Sequence, residues 1–503
     1  MLILRRIVQT ACAVFFIVVV WTTRYPLDHF LNPAVLFKID PLVMIMTSIA
    51  ERIILPGIVF AVMTLAATFV LGRVFCGWVC PLGAVSDFWV FLTDRLRLLL
   101  RLPVKDFLMP RGRFIKYAGL GLCALLAVGG IQFVWLFDPL TIFVRSVSFG
   151  VIPPANALFE SISAKLIPAT NYYPPVEVAY HWLKEAMFDP RRLLFPHAPV
   201  ISTIFVVILA AAVMVRRFWC RYLCPLGGML ALVAAHSLLK RVSPPCAVSC
   251  GMCKDDCRMG AIADDNSYNA SECIVCLDCV KKCSGDTSSF SFDRHKIVQS
   301  APLQSAHGIS RAQFFAWSGV SLGLLASSCA KPFLRNRVRA VIRPPAALPE
   351  AEFVQRCVRC GNCMKVCITN GLQPVVLESG SEGIWTPKMD PSIGYCEYKC
   401  TLCGRVCPTG AIPPLTVEQK VRTHMGVANI ARDRCIPWAT GRQCLVCEEH
   451  CPIPQKAIQI REMMHLGQKV LLPFVDADAC VGCTLCQHVC PVLPRKAIEV
   501  SPV

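Results

Sequence analysis

Apolar positions dominate the first half of the chain in four long runs, residues 7–21, 54–72, 117–137 and 200–215. Each approaches the roughly 20 residues that a helix needs to cross a bilayer, so four transmembrane helices are expected. The first run has no small-residue cleavage site and reads as an anchor rather than a removable signal. Between the second and third runs, residues 73–116 carry eight Lys and Arg, among them Arg95, Arg97, Arg101, Lys105, Arg111 and Arg113. The positive-inside rule places this segment in the cytoplasm with the N-terminus. Residues 22–53 and 138–199 then face outward. After Lys240 the pattern turns polar and compact. Residues 284–313 are Ser-rich without periodicity and read as a linker. Residues 314–330 form a weaker apolar run, marginal in length for a fifth crossing.

The apolar half contains an internal repeat. Asp40-Pro-Leu, a helix and Arg73-Val-Phe-Cys76-Gly-Trp-Val-Cys80-Pro-Leu-Gly83 recur as Asp138-Pro-Leu, a helix and Arg217-Phe-Trp-Cys220-Arg-Tyr-Leu-Cys224-Pro-Leu-Gly227. Both halves start and return inside, which predicts parallel repeats about an axis along the membrane normal. On a helix each C-x3-C pair would sit at i, i+4 on one face, so Cys76, Cys80, Cys220 and Cys224 are expected to converge. They could ligate a metal, act as redox dithiols or pack as apolar residues.

Composition agrees with a membrane protein. The 503 residues are 55% hydrophobic, with mean hydropathy +0.53 and net charge +18. The basic residues flank apolar runs, as topology signals do, and no aromatic-interleaved basic patch points to nucleic acid. The 31 cysteines change the picture most. Cys480, Cys483, Cys486 and Cys490 have the spacing C-x2-C-x2-C-x3-C-P of bacterial ferredoxins, in which three thiolates hold one [4Fe–4S] cube and the fourth ligates the neighbouring cluster. Five further sets follow related spacings: Cys246, Cys250, Cys253, Cys257; Cys273, Cys276, Cys279, Cys283; Cys357, Cys360, Cys363, Cys367; Cys396, Cys400, Cys403, Cys407; and Cys435, Cys444, Cys447, Cys451. Zinc sites seldom use this spacing, so about six [4Fe–4S] clusters are expected. The swapped rule joins Cys246, Cys250, Cys253 with Cys283, and Cys273, Cys276, Cys279 with Cys257. The last four sets could pair as neighbours or in nested order, third with sixth and fourth with fifth. A recurring Ala-Ile after the last cysteine suits a short strand. Cys12 and Cys123 lie in apolar runs as packing residues, and Cys329 remains.

Haem is not expected. None of the ten histidines lies in an apolar run, His236 being nearest, and no C-x-x-C-H occurs. A quinol site would need proton acceptors. The candidates are Asp40 and Asp138 at the outer helix ends, with His29, His181 and Glu185 in the outer segments; the plainer role for each Asp-Pro pair is a helix cap or turn. No dinucleotide fingerprint, P-loop or hydrolase triad is present, so the terminal acceptor is another protein.

These motifs carry a resemblance. Residues 1–300 are similar to NapH-type membrane quinol dehydrogenases, through the paired C-x3-C-P motifs and the two-cluster module. Residues 310–503 resemble NapG/MauM-type ferredoxins, through Ile342-Arg-Pro-Pro, Glu352-Phe353, Cys357-Val-Arg-Cys-Gly-Asn-Cys and Cys444-Leu-Val-Cys-Glu-Glu-His-Cys-Pro. The resemblance implies electron flow from the quinol pool to a periplasmic partner reductase, and twin-arginine export of the NapG-like part. Ser310-Arg311-Ala312-Gln-Phe-Phe315 resembles such a signal with Ala312 at the second Arg, and a lipobox-like stretch ends at Cys329. The expected fold is an α-helical membrane bundle of four helices with α+β ferredoxin-like domains. Its parts are 1–242 (bundle), 243–300 (two-cluster module), 301–345 (linker with the fifth apolar run) and 346–503 (four-motif domain). The expected function is quinol-fed iron–sulfur electron transfer from the inner membrane, with residues 243–300 cytoplasmic and 346–503 periplasmic. Two other readings are an accessory reductase using the C-x3-C-P thiols and a cytoplasm-facing tethered ferredoxin.

Overall fold

The computed structural model describes residues 2–27, 32–101, 112–170, 173–187, 193–242, 252–263, 267–281, 283, 288–293 and 340–503. His29, Cys246, Cys250, Cys329, the twin-arginine-like stretch and the fifth apolar run lie outside them. The chain forms two compact units, one from residues 1–20, 35–147 and 200–331, the other from residues 21–34, 148–199 and 332–503.

In the first unit all four apolar runs are helical: Leu2–Thr22, Ile58–Leu71, Ile115–Val128 and Ala198–Met214. The second and third are shorter than their runs. One starts only after Gly57 at φ 98°, behind Pro56, and the other stops at Gly129, before Gly130 at φ 76°. Fourteen residues rise about 21 Å, less than a bilayer core. Among the described residues, two helices are long and apolar enough to cross a membrane, Ile3–Thr22 and Pro139–Ala169. The second was expected to be an outer segment. Its charges Arg145, Glu160 and Lys165 break the apolar pattern, but Arg145 is buried, donating to the Trp135 carbonyl and lying over the Trp135 ring.

Two short buried helices, Pro41–Glu51 and Pro225–Ala234, pack against both Ile58–Leu71 and Ile115–Val128. Leu42, Val43, Leu230 and Ala231 form this inner core, fully buried. The outward face of Ile58–Leu71 is apolar instead of polar, with Val59 64% and Met63 60% exposed. Strands Lys240–Val242 and Ser289–Ser291 pair antiparallel and close the loop module that follows the bundle.

The second unit contains the helices Ile152–Ala169 and Pro174–Met187. It also has three antiparallel strand pairs: Leu372–Pro374 with Pro387–Met389, Gly426–Ile430 with Ile498–Pro502, and Ile458–His465 with Gln468–Val475. The expected strands after Ala-Ile start at Ile458 and Ile498, but not at Ile412. Pro413 and Pro414 follow there, and proline cannot donate to a ladder. A core of Ala428, Ala457, Ile458, Ala497 and Ile498 surrounds Cys435, Cys480, Cys486 and Cys490.

Candidate iron–sulfur centres and the repeated thiol motifs

The four-motif domain places its cysteines in sets of three plus one. Cys357, Cys360 and Cys363 line a cavity of about 360 Å3 with Cys407. Cys435, Cys444 and Cys447 line one of about 370 Å3 with Cys490. Cys480, Cys483 and Cys486 line one of about 330 Å3 with Cys451. Cys396, Cys400 and Cys403 gather around Cys367. The third set is thus paired with the fourth and the fifth with the sixth, and the nested arrangement is not the one adopted. Cys-Pro geometry helps: Cys407, Cys451 and Cys490 end short helical turns where the next residue is proline.

The donor set suits iron–sulfur clusters. Burial pushes the thiols of Cys357, Cys360 and Cys363 up, so as bare groups they keep their protons; iron takes the place of the proton. Main-chain N–H groups point at the sulfurs, Ile412 N at Cys407 Sγ (3.5 Å) and Ala428 N at Cys480 Sγ (3.5 Å), the bonds that tune cluster potentials. Among the described residues no three His, Cys, Asp or Glu side chains are close enough to share one metal ion.

The sets also stand in an order. Cys363 of the first feels Cys403 of the next. Cys396 N donates to Cys483 O at 2.9 Å, and Cys396 feels the Cys483 thiol. Cys486 feels Cys447. The spatial sequence is therefore third, fourth, sixth, fifth motif.

In the first unit Cys257 lies with Cys273, Cys276 and Cys279, as the swapped rule predicts. This loop module is held to the helices by groups that the sequence reading did not single out. Glu272 accepts from Lys116 Nζ (2.5 Å) and pairs with Arg73 (3.6 Å). Burial works against its charge, but Lys116 and then Arg73 hold the Glu272 carboxyl below its ordinary range. Arg73 also donates to Ser271 O, and Trp78 Nε1 to Val275 O at 2.9 Å. A Cβ at Gly77 would collide with the Ile274 carbonyl. Because that obstacle is backbone, Gly77→Ala is expected to cost about 1–3 kcal/mol and to loosen the module. Proteolytic sensitivity of residues 252–293 reports it.

The two C-x3-C-P motifs are not continuous α-helix. Each is a single π-turn, Phe75–Val79 and Trp219–Leu223, closed by the second cysteine donating back five residues, Cys80 N to Phe75 O and Cys224 N to Trp219 O. Pro81 and Pro225 force the preceding cysteine out of helical geometry and then start new helices. The four thiols are buried and converge: Cys224 feels Cys220, Cys76 and Cys80. The repeat exchanges its arginines. Arg217 reaches the first half, donating to Cys76 O at 2.8 Å and lying beside Gly83, while Arg73 lies beside Gly227. Arg217 is held bidentate by Asp87 at 2.9 and 2.7 Å, and Asp87 also pairs with Arg258 (2.8 Å) and Arg5 (3.5 Å). The matched Arg-x-x-Cys spacing was the available signal for both arginines.

Asp40 and Asp138 are both fully buried and both cap helices, Pro41–Glu51 and Pro139–Ser146. They also meet each other, which the cap role alone does not require. His181 and Glu185 are exposed on Pro174–Met187 in the second unit. Cys123 is buried in Ile115–Val128, as expected of a packing residue, whereas Cys12 is half-buried. His236 is exposed after the Pro225–Ala234 helix.

Comparison with known proteins accords with these sites. The family described as "4Fe-4S binding domain" matches residues 53–98 and 198–243, the two C-x3-C-P halves, and the family described as NosR matches residues 244–290. The methylamine utilization ferredoxin-type protein MauM of Methylorubrum extorquens is 32% identical over 200 residues, covering 39% of this chain and 86% of the relative. The ferredoxin-type protein NapG of Escherichia coli is 35% identical over 191 residues, 37% of this chain and 78% of the relative. Protein NirI of Paracoccus denitrificans is 29% identical over 234 residues, 46% of this chain but 28% of that protein. No solved structure matches the chain. With its cysteine sets in ferredoxin spacing, this protein carries multiple [4Fe–4S] clusters and belongs to the MauM/NapG family of ferredoxin-type electron-transfer proteins.

Proposed function

We propose that the chain is a membrane-anchored quinol dehydrogenase component that joins a NapH-like membrane part to a NapG-like ferredoxin part and feeds electrons to a partner reductase. The observation that carries the relay is the spatial order of thiol sets in residues 346–503, each near enough to the next for their sulfurs to interact electrostatically. In this reading each set of three plus one holds a [4Fe–4S] cluster, which supplies one-electron transfer. The protein buries it, directs N–H groups at its sulfurs and sets the distance to its neighbour. The set Cys435, Cys444, Cys447 with Cys490 stands at one end of the series, and Cys357, Cys360, Cys363 with Cys407 at the other. The Cys480 set is internal.

Membrane anchoring is supported by the apolar outward faces of Ile58–Leu71 and Ala198–Met214, where Val59, Met63, Val206 and Val207 are exposed. A soluble protein rarely exposes so continuous an apolar surface. Sidedness is supported by ion pairs. Arg5 at the start of the first helix, Arg73 and Lys116 at the ends of the next two, and Arg217 after the fourth all meet Asp87 or the 258–278 loop. The N-terminus, both C-x3-C-P motifs and the two-cluster module therefore share one side, the cytoplasmic one by their basic charge. Residues 346–503 take the periplasmic side, where the partner reductase is met. Quinol gives two electrons and two protons. Adding a reduced quinol analogue to the purified, oxidised full-length chain without oxygen should bleach its cluster absorbance and raise reduced-cluster EPR signals; no change in either would overturn the quinol reading.

A further inference from the structure

The repeat brings two acids together away from the thiols. Asp40 Oδ1 accepts from Leu42 N (2.8 Å) and Val43 N (3.2 Å), and Asp138 Oδ2 accepts from Thr141 N (2.7 Å). One oxygen of each carboxyl thus caps its helix. The other oxygens, Asp40 Oδ2 and Asp138 Oδ1, are fully buried and receive no protein donor. The two carboxyls are instead neighbours in this buried site, each acting on the other's protonation. No Lys, Arg or His forms an ion pair with either among the described residues, and the titratable neighbour felt across the packing is Cys123 from the Ile115–Val128 helix.

Two neighbouring carboxylates cannot both be ionised in a buried, cation-free site. Capping does not explain the pair. Asn caps as well as Asp and would bring no second charge. Each helix N-terminus favours some negative charge, which suits one charge distributed over two groups. We propose that Asp40 and Asp138 form an acid dyad that holds one proton between them and can accept a second. The site is built once from each half of the repeat. With quinol as donor, which rests on the function proposed above, the dyad takes one of the two released protons and passes from one negative charge to none. The two electrons go singly to two oxidised clusters, and the second proton goes to water.

Infrared spectroscopy of the purified full-length chain at neutral pH tests this. A protonated-carboxyl C=O band, shifted by deuterium oxide, is expected at one group per chain. It should be lost or shifted in both Asp40→Asn and Asp138→Asn and absent in the double variant, each of which keeps a capping oxygen. A band that is missing from the wild type, or unchanged in either single variant or in the double, overturns the dyad. Quinol-analogue reduction of the clusters, read on the same samples, separates the two ideas. A band without cluster reduction keeps the dyad and removes quinol as donor, and reduction without a band does the reverse.

Discussion

Cys360→Ala and Cys407→Ala should damage one and the same cluster, although they lie 47 positions apart, whereas Cys403→Ala should damage a different one. Cys407 lies in the cavity with Cys357, Cys360 and Cys363, while its motif neighbour Cys403 gathers with Cys396, Cys400 and Cys367. Each single variant should lose up to about four irons per chain, one cube. The double variant Cys360→Ala/Cys407→Ala should lose no more than either alone, because the second change strikes a cluster already lost. Cys360→Ala/Cys403→Ala should lose about twice as much. Iron analysis with EPR of the reduced protein makes the comparison: the first pair alters a single paramagnetic component, the second pair two. Nested pairing makes a different statement, that Cys360 shares its cluster with Cys490. If Cys360→Ala/Cys490→Ala proved non-additive while Cys360→Ala/Cys407→Ala proved additive, the arrangement described here would be wrong.

Asp87→Ala should be the most damaging single change outside the cysteines. Asp87 is the shared counter-charge of Arg217, Arg258 and Arg5, and it also accepts from Gln9 Nε2 at 3.0 Å. Arg217 is 2% exposed. Removing the carboxylate leaves that guanidinium buried beside two others, with Asp278 still compensating Arg258 and Arg5 but not Arg217. Breaking a buried pair from one side costs about 3–5 kcal/mol, mostly from the charge left behind. The thermal unfolding midpoint of the purified full chain should fall clearly. Asp87→Asn, which keeps the shape and loses the charge, should fall nearly as far; an unchanged midpoint in both would show that the arginines find other partners. The pH dependence has a definite sign. Burial works against the Asp87 charge, but Arg217 and then Arg258 outweigh it and hold the carboxyl well below the ordinary carboxylate range. A group depressed on folding stabilises the native state above its unfolded value. The Asp87 contribution should therefore be constant across neutral pH and be lost only as pH falls below about 4.

Asp87, Arg73, Lys116 and Glu272 show why part of the site was hidden in the sequence. A lone charge beside an apolar run reads as a topology signal, and Arg73 and Lys116 lie within the basic segment that gave the positive-inside assignment. Their partner Glu272 lies 156 to 199 positions away, in a loop between cluster cysteines. Helix ends were misjudged for a related reason. Hydropathy runs through Leu55-Pro-Gly57 and Gly129-Gly130 without interruption, yet glycine at positive φ ends the helix at each place. Residues 139–169 went the other way: the topology assignment made them an outer segment, and the burial of Arg145 that fits them to a long apolar helix cannot be seen in the sequence.

The sequence by itself determined the chemistry: which thiols form sets, that they bind iron–sulfur cubes, and that the bundle is a repeat. Ligand spacing is a local property, because three thiolates on one face of a cube must come from within a few residues of one another. A repeat is likewise visible as soon as it is aligned with itself. Only the tertiary structure decided which fourth cysteine completes each set, because adjacent and nested pairings satisfy the same spacing. The pairing of Gly426–Ile430 with Ile498–Pro502, some 70 residues apart, folds the fifth and sixth motifs onto each other. It likewise decided that Asp40 and Asp138, 98 positions apart, are buried as neighbours in one site. Long-range meetings of this kind follow from how helices pack, and packing depends on the whole set of buried surfaces rather than on any one stretch.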